Sequence, residues 1–220
     1  MPTLSPEDVG KFVGLGGTFH SHQAEKDRTY RWPDFWLVPP EGVVSDGEPI
    51  ELPARAADVS TGSELTAVIG EDIWQADEAE AWDSISGFTV SNDVTATGDW
   101  PGWSDPEHGM ITGVGYKCFP TFSPLLGDVV EKRDREHYED LHVEVRVDGE
   151  VATSGSTAQM AFSIGELVSF ASNITPLHEN DVVALGEPGN CSIYLDDADE
   201  VTCTVESIGE LTNPVERLPE

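Results

Sequence analysis

The 220-residue sequence predicts one β-rich α+β domain. Three observations point there. Short apolar runs with β-branched or alternating patterning recur along the chain, each stopped by glycine, proline or an Asn/Asp turn. Segments with helical spacing are few and short. No internal repeat, low-complexity tract or linker divides the chain, and its length suits one well-buried core.

Taken in order, FVGLGG (12–17) is a strand ending in glycines, and DFWLVPP (34–40) is one halted by prolines. LTAVIG (65–70) and SGFTVSNDV (86–94) are further strands, separated by a short helix over DEAEAWDSI (77–85). GDWPGWSDPEHG (98–109) is rich in Gly, Pro and Trp and reads as a long loop, of the kind often functional in compact domains. LHVEVRVDG (141–149) alternates cleanly, and its Asp-Gly pair predicts a hairpin turn into the next strand. SIGELVSFASNI (163–174) has helical apolar spacing with Ser163 as N-cap. VTCTVESIG (201–209) closes the series as a strand.

Asp and Glu number 42 against 11 Lys and Arg, a net charge of −31. Such a balance raises disorder as a reading, but the apolar periodicity argues against it. A nucleic-acid surface is disfavoured, because phosphate neutralisation needs clustered cations. Only Lys11, Lys26, Lys117 and Lys132 are lysines. Acids spread over the whole chain fit a cytosol of very high salt, where self-repulsion is screened. The melting temperature is therefore expected to be lower in dilute than in molar KCl, and an unchanged value would refute this. No stretch approaches the roughly 20 apolar residues of a transmembrane helix, and MPTLSPEDVG lacks the pattern of a signal peptide. Cys118, Cys191 and Cys203 are odd in number and widely spaced, which predicts neither a disulfide framework nor a zinc knuckle. A reduced, cytoplasmic protein is the expectation.

Several segments, in order, carry a resemblance: GLGGTFHSHQAE, DFWLVPP, GEPIELP, SELTAVIG, SGFTVSNDVTA, GYKCFPTFSPL, STAQMAFSIGELVSF, NDVVALGEPG and VESIGELTNPV. Together they resemble the catalytic domain of the fumarylacetoacetate hydrolase family over about residues 12–215. The resemblance implies layered β-sheets, a homodimer, and a divalent cation, Mg²⁺ or Mn²⁺, held by carboxylates. It also implies a small oxo-acid substrate. Members hydrolyse or decarboxylate β-diketo acids, isomerise or hydrate oxo-dienoic acids, or dehydrate 2-keto-3-deoxy sugar acids. The shared step makes and protonates a metal-stabilised enolate. That chemistry wants oxygen ligands for a hard cation, positive charge near the developing oxyanion and a group that moves a proton.

The site residues follow from the same resemblance. Asp93 in SNDVTA and Glu64 in SELTAVIG match metal ligands, although residue type alone leaves them a turn residue and a solvated acid. The first of the family's two glutamates falls on Gly62, which has no side-chain oxygen. Lys117 in KCFPTFSP matches the active-site lysine; a charge-balancing surface lysine is the plainer alternative. Beside it, Cys118 reads as a small buried apolar residue. His22 and Glu25 match a lid pair, and their i, i+3 spacing puts both on one face of a short helix, with His20 as a neighbour. Val38 stands where the family has a lysine, and LGEP (185–188) replaces a threonine-containing loop. Glu187 or Asp58 could fill the place that Gly62 leaves empty, and Glu187 could equally be one more acidic loop residue. Two readings result. One is a metal-dependent enzyme in which Glu64, Asp93 and Glu187 bind the cation and His22, Glu25 and Lys117 act in catalysis. The other is a divergent family member whose impaired metal site leaves a non-catalytic binding or oligomeric protein.

Overall fold

The computed structural model describes residues 3–25, 27–54, 56, 58–97, 104–105, 109–110, 115–189 and 193–219. An eight-stranded mixed sheet runs, edge to edge, through 34–38, 12–16, 182–184, 63–69, 85–92, 123–125 and 43–45, with Val130–Glu131 also pairing onto Ile85–Asn92. A five-stranded sheet runs through 150–156, 142–147, 200–205, 209–217 and 50–52. Strands 200–205 and 209–217 pack across 63–69 and 85–92, so the two sheets form layers around the main core.

Burial on both faces explains why apolar residues, without a regular polar alternation, fill most of the central strand from Leu65 onward. All seven residues of Ser63–Ile69 are buried, as expected for a strand covered on both faces. Leu65, Ala67 and Ile69 point into the main core with Phe88, Val90, Val143, Val205 and Leu211. Val68 joins a second cluster with Phe12, Trp36, Val38 and Val182 on the opposite face. Each such aliphatic side chain contributes roughly 1.5–3 kcal/mol on burial.

Among the described residues three short α-helices flank the sheets: α1 (His20–Glu25), α2 (Glu78–Asp83) and α3 (Ile164–Ile174). The Asp77 carboxylate accepts the Ala79 and Glu80 N–H groups to cap α2. Ser163 Oγ accepts the Glu166 N–H at 3.0 Å to cap α3, as its position predicts. None of the helices among the described residues is long and apolar enough to cross a membrane.

The expected hairpin is present: Asp148 and Gly149 both take positive φ, 51° and 80°, between strands 142–147 and 150–156. Two expectations need correction. The run 201–209 is not one strand. It turns at Glu206–Ile208, where Ser207 has φ 62°, and returns as Gly209–Arg217 paired antiparallel to Glu200–Val205. Much of the segment 98–109 lies outside the described residues, but Ser104–Asp105 pairs with Gly109–Met110, so it is not wholly loop.

Candidate active site

Strand register gathers the carboxylates. Ser63–Ile69 and Ile85–Asn92 are antiparallel, with Glu64 opposite Ser91 and Ser63 opposite Asn92. Side chains two residues apart share a face. Gly62, Glu64, Ser91 and Asp93 therefore lie on the face turned away from the main core. The pairing persists one step past the ladder, where the Asp93 N–H donates to the Gly62 carbonyl at 2.9 Å. Glu64 and Asp93 are consequently diagonal cross-strand neighbours.

Glu64 is only 1% exposed, and a buried carboxylate needs compensation. Its Oε2 accepts the Gly186 N–H at 2.9 Å. Burial, and then the charges of Asp93 and Glu187, still hold its pKa well above the usual carboxylate range, against the pull of Gly186 and Lys117. In metal-free protein the folded chain thus keeps this proton to higher pH than the unfolded chain does. That contribution to stability is complete below the ordinary value of 4.5 and is lost as pH rises through the folded pKa. In chelator, wild type is expected to lose melting temperature relative to Glu64→Gln as pH climbs above this range. A pH-independent difference between the two would contradict it.

Lys117 ends a 3-10 turn, Gly115–Lys117, and is the cation of the site. Its ammonium ion-pairs with Asp93 Oδ2 and donates to Thr95 Oγ1 at 2.7 Å. It also lies 4.5 Å from the ring centroid of Trp36, a cation–π contact. Trp36 is admitted by a small residue across the sheet. Gly14 pairs with it directly, and a Cβ there would fall 2.1 Å from the indole. Desolvation lowers the Lys117 pKa, but Asp93, by charge and hydrogen bond, with Glu187 and Glu64, outweighs it and holds the pKa above its ordinary value. Lys117 is therefore protonated at neutral pH.

These groups line one cavity of about 430 Å³, with His22, Glu64, Asp93, Lys117 and Glu187 all on its wall. That volume is in the range of small-molecule sites. His22 arrives on α1, which is tied to the preceding turn by Gln23 Nε2 donating to the Gly17 carbonyl at 2.8 Å. The Glu25 side chain lies outside the described residues, so the proposed pairing with His22 is not part of this geometry. His20 is exposed at the start of the helix and does not line the cavity. Glu187 sits in the loop after Val182–Ala184, half-buried.

Other expectations fall elsewhere. Val38 lines no part of the cavity; it shares a strand face with Asp34 and Trp36, but at the far end of Asp34–Val38 it packs in the second apolar cluster. Asp58 is exposed and absent from the cavity wall. Cys118 is exposed rather than buried, since Lys117 takes the inward position of the turn and its neighbour faces out. Cys203 is buried, and Cys191 lies outside the described residues. Trp36, Thr95 and Thr18 are wall residues that sequence reading missed. For Trp36 a signal existed: glycines alternate in FVGLGG, leaving a strand face open to a large ring.

The donor set suits a hard divalent cation. Glu64, Asp93 and Glu187 offer only oxygen. With all three ionised against one ammonium, two negative charges are left uncompensated. Among the described residues no three His, Cys, Asp or Glu side chains are drawn together as closely as a metal cage needs, so the fit is one of donor chemistry and charge.

The family model for the fumarylacetoacetate (FAA) hydrolase C-terminal domain matches residues 11–216. A mitochondrial oxaloacetate tautomerase of Xenopus laevis is 28% identical over 97% of this chain and 67% of its own length. The solved 5-carboxymethyl-2-hydroxymuconate delta-isomerase of Mycobacterium smegmatis superposes with TM-score 0.80 at 30% identity, covering 96% of this chain and 80% of that one. The fumarylpyruvate hydrolase of Pseudomonas aeruginosa, solved with Mn²⁺ and pyruvate, shares the fold with TM-score 0.82 at 21% identity, covering 96% and 91%. Through nearly its whole length, the chain is an enzyme of the fumarylacetoacetate hydrolase family.

Proposed function

We propose that this chain is a divalent-metal-dependent enzyme acting on a 2-oxo or β-diketo acid through an enolate. The observation that carries the reading is Lys117, ion-paired with Asp93 in a cavity that Glu64 and Glu187 also line. The relative solved with Mn²⁺ and pyruvate supports both the metal and the substrate class. Glu64 and Asp93 would hold Mg²⁺ or Mn²⁺, which when bound supplies Lewis-acid polarisation of the carbonyl. Lys117 places a fixed positive charge where the substrate oxygen gains negative charge. Asp93, Thr95 and Trp36 hold that ammonium in place, so little reorganisation is needed during reaction. His22, which also lines the cavity, takes or returns the proton at carbon or activates water.

The test is a substrate panel on protein stripped with chelator and then resupplied with Mn²⁺. Oxaloacetate, acylpyruvates and 2-keto-3-deoxy sugar acids cover the enolate-forming reactions. Turnover of at least one, present with Mn²⁺ and absent in chelator, is expected. No turnover of any, in protein that binds Mn²⁺ tightly, would favour a non-catalytic binding protein instead.

A further inference from the structure

We infer that positions 62 and 187 hold one metal-ligating carboxylate between them: Glu187 supplies the third carboxylate of the site, and Gly62 is the space it occupies. This rests on the metal-dependent reading of the cavity. A Cβ built on Gly62 would lie 1.3 Å from Glu187 Oε2 and 2.3 Å from its Cδ. No side chain can stand at 62 while the Glu187 carboxylate is where it is. Backbone conformation does not explain the glycine, because Gly62 is not among the glycines with positive φ. Its main chain would accept any residue; the carboxylate above it is what excludes one.

The place so occupied is the place a ligand should be. Gly62 is pinned by its own N–H to Asn92 Oδ1 at 3.2 Å and by its carbonyl to the Asp93 N–H. A carboxylate over Gly62 lines the same cavity as Glu64 and Asp93, although it comes from a distant loop.

That loop is held on both sides. The Leu185 N–H donates to the Leu65 carbonyl at 3.0 Å, and the Gly186 N–H donates to Glu64 itself. Gly189 N–H donates to Ser21 Oγ at 2.9 Å, on the helix that carries His22. Gly186 has φ 89°, and a Cβ there would meet Thr18 Oγ1 at 1.9 Å, so the loop passes between two close walls. Thr18 Oγ1 is buried without a hydrogen-bond partner among the described residues, and Thr18 lines the cavity. An unpartnered hydroxyl on this wall is a separate sign of a polar ligand.

The experiment titrates Mn²⁺ alone into metal-free protein in molar KCl, by calorimetry, with melting temperature as the folding control. Glu187→Gln is expected to weaken Mn²⁺ binding at least about tenfold. Gly62→Glu combined with Glu187→Gly returns the carboxylate from the strand and is expected to recover most of that loss. Gly62→Glu alone forces two carboxylates into one space and is expected to melt below the double variant. Asp58→Asn, an exposed acid, is expected to bind as wild type does. If Glu187→Gln binds Mn²⁺ like wild type while Asp93→Asn does not, the metal reading stands and this inference falls. A folded double variant as weak as Glu187→Gln would overturn the exchange; should it not fold, Glu187→Gln alone decides. Wild type that binds no Mn²⁺ removes both.

Discussion

Asp93→Asn is expected to lower Mn²⁺ affinity on the order of 100-fold, at the upper end of what support groups around metals contribute. The substitution keeps size and shape, so backbone pairing from Asp93 N–H to the Gly62 carbonyl should survive. What it removes is one ionised oxygen donor and the direct partner of Lys117. The remaining carboxylates, Glu64 and Glu187, still face the same ammonium, and the site is then closer to neutral. A divalent cation gains correspondingly less by entering. Mn²⁺ titration with melting temperature as control checks this, and an affinity within about threefold of wild type in a folded variant would contradict it, being well short of the loss expected for a ligand.

Lys117→Met separates catalysis from metal binding. Losing a fixed charge at a developing oxyanion is expected to lower kcat/KM by roughly 10²–10³-fold. Mn²⁺ affinity should hold or rise, because the competing cation among the carboxylates is gone. Without metal, the variant leaves Glu64, Asp93 and Glu187 facing one another uncompensated. Breaking a buried ion pair costs up to about 3–5 kcal/mol, so the chelated variant should melt well below chelated wild type, with Mn²⁺ restoring the difference. Full activity in Lys117→Met would remove lysine from the mechanism. Loss of Mn²⁺ binding together with activity would assign it a structural role instead.

Local pattern made much of this fold legible. The Asp-Gly hairpin, the Ser163 cap and the central strands are each dictated by a few adjacent residues. The break at Glu206–Ile208 was not legible, because IGELTNPV continues β-type patterning and only antiparallel pairing across Ser207 shows the turn. At the site, Glu64, Asp93, Lys117, His22 and Glu187 line one cavity. Spacing alone could not have shown it, since their meeting depends on register between strands and on a loop from far along the chain. Val38 and Asp58 illustrate the converse. Both share strand parity with cavity residues, Val38 with Trp36 and Asp58 with Ser60, yet one packs in apolar core and the other is exposed. Trp36 was overlooked because its role depends on Gly14 beneath it and Lys117 above it, neither adjacent in sequence.

The most direct measurement is deuterium exchange at the carbon beside the carbonyl of a 2-oxo acid, followed by proton NMR in D₂O. Metal-stripped protein, protein with Mn²⁺ and Mn²⁺ alone are compared, with Asp93→Asn in parallel. Exchange faster with protein plus Mn²⁺ than with Mn²⁺ alone, lost in chelator and in Asp93→Asn, is the predicted result. Across oxaloacetate, acylpyruvates and keto-deoxy sugar acids, exchange no faster than Mn²⁺ alone produces would contradict a metal-dependent enolate site.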